Sequence, residues 1–306
     1  MEKKISLISA EELGRAAALI RAGELVAFPT ETVYGLGANA LDASAVDKIY
    51  ASKERPPSSP LIVHVDSVAM ARSIVRQWPD KAERLTRVFW PGPLTLVLPK
   101  RPHVPDRLTA GLDTVGVRVP ANPVALGLIR EAAVPIAAPS ANRFTEVSPT
   151  TAQHVRDSMG DRVAMVLDGG PCKVGIESTV LSLAGTEPVL LRPGMVTKEQ
   201  IEEVIGPIQV VPYMTDESAA HTSPGMHRRH YSPKTPLVLV KPGELPSNGR
   251  GMRIEMPAEP REYAAVLYDR LRKADSEGWD WIAIEQPPEG PDWDAIRDRL
   301  ERAASR

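Results

Sequence analysis

The hydrophobic residues of this chain change period repeatedly, and each change marks an element. Ser9-Ala10-Glu11-Glu12 has the form of a capping box, Leu13, Ala17, Leu19 and Ile20 follow at helical spacing, and Gly23 supplies a stop. The pattern therefore predicts a helix that hands over to a strand at 25–28. Short apolar or alternating runs predict further strands at 61–65, 94–98, 114–119, 135–138, 163–167, 178–183 and 189–191. Between them a 3.6-residue repeat predicts helices over 44–52, 67–76, 80–89, 123–132, 151–159 and 197–205. The strands do not alternate regularly with helices, and several are joined by short Gly/Pro turns. That arrangement points to an α/β chain with a twisted mixed sheet rather than a doubly wound parallel one.

From 207 to 236 no hydrophobic period survives, and Pro212, Pro224, Gly225, Pro233 and Pro236 give the segment the character of a linker. Long linkers inside compact enzymes often serve as lids. Beyond it, strand patterns at 237–240, 252–256 and 281–284 with helices over 260–276 and 292–304 predict a small βαβ-like unit. The expected division is a larger domain over 1–206, a linker over 207–236 and a small domain over 237–306. A length of 306 residues also favours more than one unit.

Charge narrows the function. With 37 basic and 39 acidic residues the net charge is −2, which argues against a whole-surface nucleic-acid binder and confines any cationic site to a local concentration. Cys172 is the only cysteine, so an intrachain disulfide and a multi-cysteine zinc site are excluded. The first residues lack the apolar core of a signal peptide and no apolar run approaches transmembrane length, so a cytoplasmic protein without a membrane partner is expected.

Phe28-Pro29-Thr30-Glu31-Thr32-Val33-Tyr34-Gly35-Leu36-Gly37-Ala38-Asn39-Ala40 reads as a hydroxyl-rich, glycine-punctuated turn after an apolar strand, and Lys53-Glu54-Arg55-Pro56 follows. Together they have the equipment of an anion site: hydroxyls for a small polar substrate, glycines for close backbone approach, and two cations. In the strand at 114–119, Thr114, Gly116 and Arg118 share one face, which reads either as a solvated sheet face or as a ligand face opened by the glycine. His64 shares a face with Ile62 and reads either as a hydrogen-bonded core side chain or as a ligand. Ser58 and Ser59 add donors beside Arg55. Pro139-Ser140-Ala141-Asn142, Ser148-Pro149-Thr150, Gly175-Ile176-Glu177-Ser178-Thr179-Val180 and Leu191-Arg192-Pro193-Gly194 each need no function beyond turn and cap chemistry. Their convergence is the signal, because five strand ends each offer a polar donor. G-x-x-x-x-G-K-[ST], G-x-G-x-x-G before a helix, H-E-x-x-H and G-x-S-x-G are all absent. His227-Arg228-Arg229-His230 has no acidic or cysteine partner at metal spacing and reads as a cationic lid segment rather than a zinc site.

Taken together, residues 28–40, the Lys53-x-Arg55 pair, Pro60-Leu61-Ile62-Val63-His64-Val65, Trp90-Pro91-Gly92-Pro93-Leu94-Thr95, Val115-Gly116-Val117-Arg118-Val119-Pro120 and the Ser140, Ser178 and Arg192 motifs resemble the threonylcarbamoyl-AMP synthases of the Sua5/YrdC family over about 12–206. Ser223-Pro224-Gly225-Met226 and His230-Tyr231-Ser232-Pro233-Lys234 resemble the linker of the longer, two-domain Sua5 type. The resemblance implies a YrdC-like twisted mixed sheet with flanking helices and a small Rossmann-like α/β C-terminal domain. It implies that L-threonine, bicarbonate and ATP give L-threonylcarbamoyl-AMP and pyrophosphate, the first step of N6-threonylcarbamoyladenosine formation in tRNA. By motif position Lys53 and Arg55 would be catalytic, and Thr32, His64, Arg118 and Ser178 would hold threonine. Arg55, Ser59, Thr114, Ser140, Asn142, Ser148, Arg192 and Tyr231 would hold ATP. Mg²⁺ would bridge the phosphates without a direct protein ligand, and the product would pass to the tRNA threonylcarbamoyl transferase complex.

Two other readings compete. One keeps the fold for carbamoyl-phosphate-dependent carbamoyl-adenylate chemistry, as in the YrdC-like segment of hydrogenase-maturation carbamoyltransferases, but the lone cysteine lacks their cysteine-rich zinc segments. The other is a non-catalytic RNA-binding module, against which stand the near-neutral charge and the scarcity of aromatics.

Overall fold

The computed structural model describes residues 8–210 and 230–305. The larger unit carries strands β1 (Val26–Pro29), β2 (Tyr34–Asn39), β3 (Ile62–His64), β4 (Leu94–Pro99), β5 (Thr114–Arg118), β6 (Ile136–Ala137), β7 (Met165–Val166), β8 (Thr179–Ser182), β9 (Val189–Arg192) and β10 (Gln209–Val210). Its α-helices are α1 (Ala10–Arg21), α2 (Ala43–Lys53), α3 (Val68–Ile74), α4 (Asp80–Phe89), α5 (Pro123–Ala132), α6 (Ala152–Met159) and α7 (Lys198–Ile205). The strands form one sheet in the order β10-β9-β8-β4-β5-β3-β6-β2-β1-β7. Parallel pairs such as β3 with β5 and β4 with β8 mix with antiparallel ones such as β4 with β5 and β1 with β2. The twisted mixed sheet expected from the sequence is thus present.

Local chemistry explains the helix ends. The Ser9 hydroxyl accepts from the Glu12 amide while the Glu12 carboxylate accepts from the Ser9 amide, closing the capping box at the start of α1. Asp42 caps α2 through the amides of Ser44 and Ala45, and Glu54 ends it in the left-handed region at φ 55°. That reversal leaves Lys53 facing inward from the last turn and sets Arg55 at the start of the following loop.

Two cores flank the sheet. Leu36, Val63, Leu96, Val117 and Leu181 pack with Ile49, Ile74, Leu85 and Ile201 on one side. Phe28 and Ile136 pack with Ile20 and Leu128 of α1 and α5 on the other. Each fully buried aliphatic or aromatic side chain of these layers contributes about 1.5–3 kcal/mol. In mid-sheet, the face of β3, β4 and β8 away from the first core carries only the small cluster Ile62, Val97 and Val180. There the polar side chains gather.

Residues 30–33 of the segment expected as a glycine-punctuated turn do turn, but its glycine-bearing part, residues 34–39, is strand β2, paired antiparallel with β1 and β6. A Cβ on Gly37 would lie 2.7 Å from the Phe28 ring and 3.1 Å from the Val26 carbonyl oxygen, so this glycine permits close strand packing and not a bend. Likewise Gln209 and Val210, expected within the linker, extend the sheet as β10 beside β9. Pro212, Pro224, Gly225, the Ser223 motif and His227-Arg228-Arg229 lie outside the described residues.

The second unit has the parallel strands β11 (Leu237–Val240), β12 (Gly251–Ile254) and β13 (Trp281–Glu285), with β13 central, and helices α8 (Pro260–Asp275) and α9 (Asp294–Ala304). This is the small Rossmann-like α/β unit expected. Its core of Leu267, Leu271, Ile282, Ile284, Ile296 and Leu300 is continuous with Val33, Val147 and Ile176 of the larger unit. At this seam Gly175, at φ +81°, leaves no room for a Cβ, which would fall on the Ala264 carbonyl of α8. Gly175→Ala is expected to cost about 1–3 kcal/mol, from left-handed strain and the clash. Amide exchange would read this as lost protection concentrated in α8. No helix among the described residues is long and apolar enough to cross a membrane.

Candidate active site

The loop after β1 and the ends of β3, β5, β6, β8 and β9 converge on one cavity. Its walls include Thr30, Thr32, Arg55, His64, Arg118, Ser140, Glu177, Ser178, Arg192 and Tyr231. Its volume is about 50 Å³. Of the expected site residues Thr32, Arg55, His64, Arg118, Ser140, Ser178, Arg192 and Tyr231 are brought together. Lys53, Ser59, Asn142 and Ser148 stand one layer behind. Thr114 lines a neighbouring recess with Val97, Gly116 and Val180, and that recess shares Ile62 with the cavity.

At one end the hydroxyls form a relay. The Thr30 hydroxyl donates to the Val33 carbonyl at 2.6 Å and sits 2.8 Å from the Thr32 hydroxyl, which in turn accepts from Arg118 Nη1 at 3.0 Å. Arg118 also donates through Nε to the Gly92 carbonyl at 3.1 Å, and its Nη2 lies 2.5 Å from a Glu31 carboxylate oxygen. Arg118 and Glu31 are both buried, and the other Glu31 oxygen accepts from the Ala121 amide at 3.0 Å. The Arg118 of the sequence reading is therefore no solvated side chain but half of a buried ion pair. Its partner was missed, although a buried strand arginine requires one.

His64 is buried, its ring edge-on to Phe28 at 6.2 Å, and its Nδ1 meets no partner among the described residues. Burial first, and then the Arg118 charge, pulls its pKa down to about 3, so the ring is neutral at physiological pH and offers an acceptor or donor to a substrate. The unfolded chain binds a proton at His64 below its ordinary value of 6.5 while the native chain does not. His64 therefore leaves stability intact above pH 6.5 and removes it as pH falls towards 3, by about 1.4 kcal/mol per pH unit. His64→Gln is expected to flatten this acid limb in urea titrations run between pH 4 and 8.

The other end is cationic. Arg55 donates through Nη2 to the Ser59 hydroxyl at 2.5 Å and the Pro60 carbonyl at 3.2 Å, and packs on the Phe144 ring. Burial holds its pKa down at about 10. Arg192 donates to the Ser178 carbonyl and hydroxyl at 3.1 and 3.3 Å, and the Ser178 hydroxyl lies 2.8 Å from that of Thr95.

The Lys53 ammonium does not line the cavity; it donates to the carbonyls of Ser140 and Asn142 at 2.6 and 2.5 Å. Burial, reinforced by Arg55, lowers its pKa well below the ordinary lysine value. Lys53 thus fastens the Ser140–Asn142 turn from behind. The same turn is held by the Asn142 amide, which donates to the Arg143 and Glu146 carbonyls while its Oδ1 has no partner among the described residues. Ser148 donates to Glu177 at 2.6 Å. Tyr231, at φ 62°, is buried with its ring stacked on Tyr268 and its hydroxyl without a partner among the described residues.

Residues 18–194 match the Sua5/YciO/YrdC family model, described as telomere recombination, and residues 196–305 match the model for the threonylcarbamoyl-AMP synthase C-terminal domain. The chain is 44% identical to the threonylcarbamoyl-AMP synthase of Bacillus subtilis over 321 aligned residues, covering 96% of this chain and 93% of the relative. It is 50% identical to that of Pyrococcus abyssi over 227, covering 74% and 67%. The crystal structure of P. abyssi Sua5 complexed with L-threonine superposes with a TM-score of 0.92 at 40% identity, covering 98% of this chain and 96% of that one. A full-length HypF structure, at 23% identity and a TM-score of 0.52, covers 61% of this chain and 30% of that one, and shows the fold alone.

Proposed function

Because the chain belongs to the Sua5/YciO/YrdC family, we propose that it makes L-threonylcarbamoyl-AMP and pyrophosphate from L-threonine, bicarbonate and ATP, the first step towards N6-threonylcarbamoyladenosine in tRNA. The observation that carries this reading is the single cavity in which a neutral histidine and a hydroxyl–arginine relay stand beside Arg55, Ser140 and Arg192. The P. abyssi structure, named for its L-threonine complex, supports threonine as a substrate.

In this proposal Thr32, His64, Arg118 and Ser178 hold threonine, and Arg55, Ser140, Arg192 and Tyr231 hold ATP, with Thr114 at the adjoining recess. Ser59, Asn142, Ser148 and Lys53 act from behind, through the groups they fasten. The neutral threonine amine attacks bicarbonate carbon, water leaves, and a carbamate results. A carbamate oxygen then forms a bond to the α-phosphorus while the bridging oxygen to the β-phosphorus departs with pyrophosphate. No protein nucleophile is needed. The protein's work is to align two anions and offset their repulsion where water is scarce. Mg²⁺ enters as part of the ATP substrate. Phosphate oxygens and water would be its ligands.

The division into a catalytic domain over 1–206, a linker over 207–236 and a small domain over 237–306 belongs to the same proposal, as do a cytoplasmic location and hand-over of the labile product to a tRNA-modifying transferase. Pyrophosphate release with ATP, with threonine and bicarbonate left out in turn, tests the reading. Release should require both. Equal release without either would refute it, and carbamoyl phosphate replacing both would favour the competing chemistry.

A further inference from the structure

Glu177 stands on the cavity wall next to Ser178, yet the small C-terminal unit claims much of its carboxylate. One oxygen accepts from Ser148; the other accepts from Arg299 Nε of α9 and from the Tyr268 hydroxyl of α8, both at 2.9 Å. Arg299 is wholly buried, donates to the Pro193 carbonyl at 3.1 Å, and pairs with Asp298. Its guanidinium lies 5.2 Å from the centroid of the Tyr231 ring, which stacks on Tyr268 at 5.8 Å with planes 23° apart. Arg192 is close enough to feel the Glu177 charge, and it donates to Ser178.

A carboxylate on the wall of a triphosphate site does two harmful things. It repels the phosphates, and it competes with them for the nearest arginine. A dedicated cation on Glu177 removes both effects, and Arg299 supplies it from 122 residues along the chain. We infer that Arg299 and Tyr268 are positioning residues for the reaction: they occupy Glu177 so that Arg192 stays turned to the nucleotide, and they seat Tyr231 over it. Nucleotide affinity then depends on how the C-terminal unit is docked, although no residue of α8 or α9 lines the cavity. The inference rests on the reading of the cavity as an ATP site. It gives the small unit a task that its own fold does not suggest.

The test is calorimetric binding of a non-hydrolysable ATP analogue with Mg²⁺ to the full chain, with the KM for threonine measured beside it. Arg299→Met should weaken analogue binding by about tenfold or more, while the threonine KM at saturating ATP moves by less than about threefold. Adding Glu177→Gln to Arg299→Met should restore most of the affinity, because the competing charge is then gone. A role in domain anchoring alone predicts that the double variant binds no better than the single, and that result would overturn the inference. Should Arg299→Met not fold, Tyr268→Phe decides: a loss of affinity recovered by Glu177→Gln supports the inference, and unchanged affinity overturns it. A wild-type chain that fails to bind the analogue would strike the ATP-site reading itself, whereas wild-type binding with indifferent variants would strike only the coupling.

Discussion

Arg118→Met is expected to lower stability by about 3–5 kcal/mol, because it leaves the buried Glu31 carboxylate without its counter-charge. The double variant Arg118→Met/Glu31→Gln should recover most of that loss, since the amide can still accept from Ala121 and no charge remains buried. Activity should not follow. Without the guanidinium, the Thr32 hydroxyl loses its donor and a bound amino-acid carboxylate loses the cation of the relay end. Threonine-dependent turnover should stay about a hundredfold or more below wild type in both variants. Urea titration and pyrophosphate release on the three proteins separate the two effects. A stable double variant with near-wild-type turnover would remove Arg118 from the substrate site.

Arg55 should behave in the opposite sense. It is a buried cation without a carboxylate partner within 4 Å among the described residues, and its neighbours on the cavity wall include a second cation, Arg192. Burial already holds its pKa at about 10, so its charge opposes folding. Arg55→Ala is therefore expected to leave the unliganded chain as stable as wild type or more so, by up to about 1 kcal/mol, while turnover falls about 10²–10³-fold for want of a cation on the triphosphate. Added ATP should raise the melting temperature of wild type and not of the variant. A variant of ordinary activity, or one that unfolds, would contradict the assignment.

These two arginines illustrate what a sequence conveys about a site. The residue types and their places at strand ends were legible, because capping residues, period changes and Gly/Pro turns are local signals, and the helices and most strands fall where those signals put them. β2 was not, because Gly35 and Gly37 look like turn residues until Phe28 and Ile136 are seen packed against the glycine positions. Partner identity was the other loss. Glu31 meets Arg118 across the fold, Lys53 turns to backbone carbonyls of the Ser140 turn, and Glu177 meets Arg299 from another unit. A cation in a motif can face a ligand, a carboxylate or a carbonyl, and only tertiary structure decides which. Lys53 and Arg55, two residues apart, stand on either side of the end of α2, with Lys53 on the Ser140–Asn142 carbonyls and Arg55 on the cavity wall.

The central claim is that one cavity joins an amino-acid carbamate to a nucleotide. It is tested most directly by supplying ¹⁴C-bicarbonate with ATP and threonine and separating the products under conditions that spare a labile mixed anhydride. The account predicts label in a species that contains both threonine and AMP, formed in step with pyrophosphate and missing when threonine is withheld. ATP consumption with no labelled adenylate, in a protein shown to be folded and to bind both substrates, would contradict it.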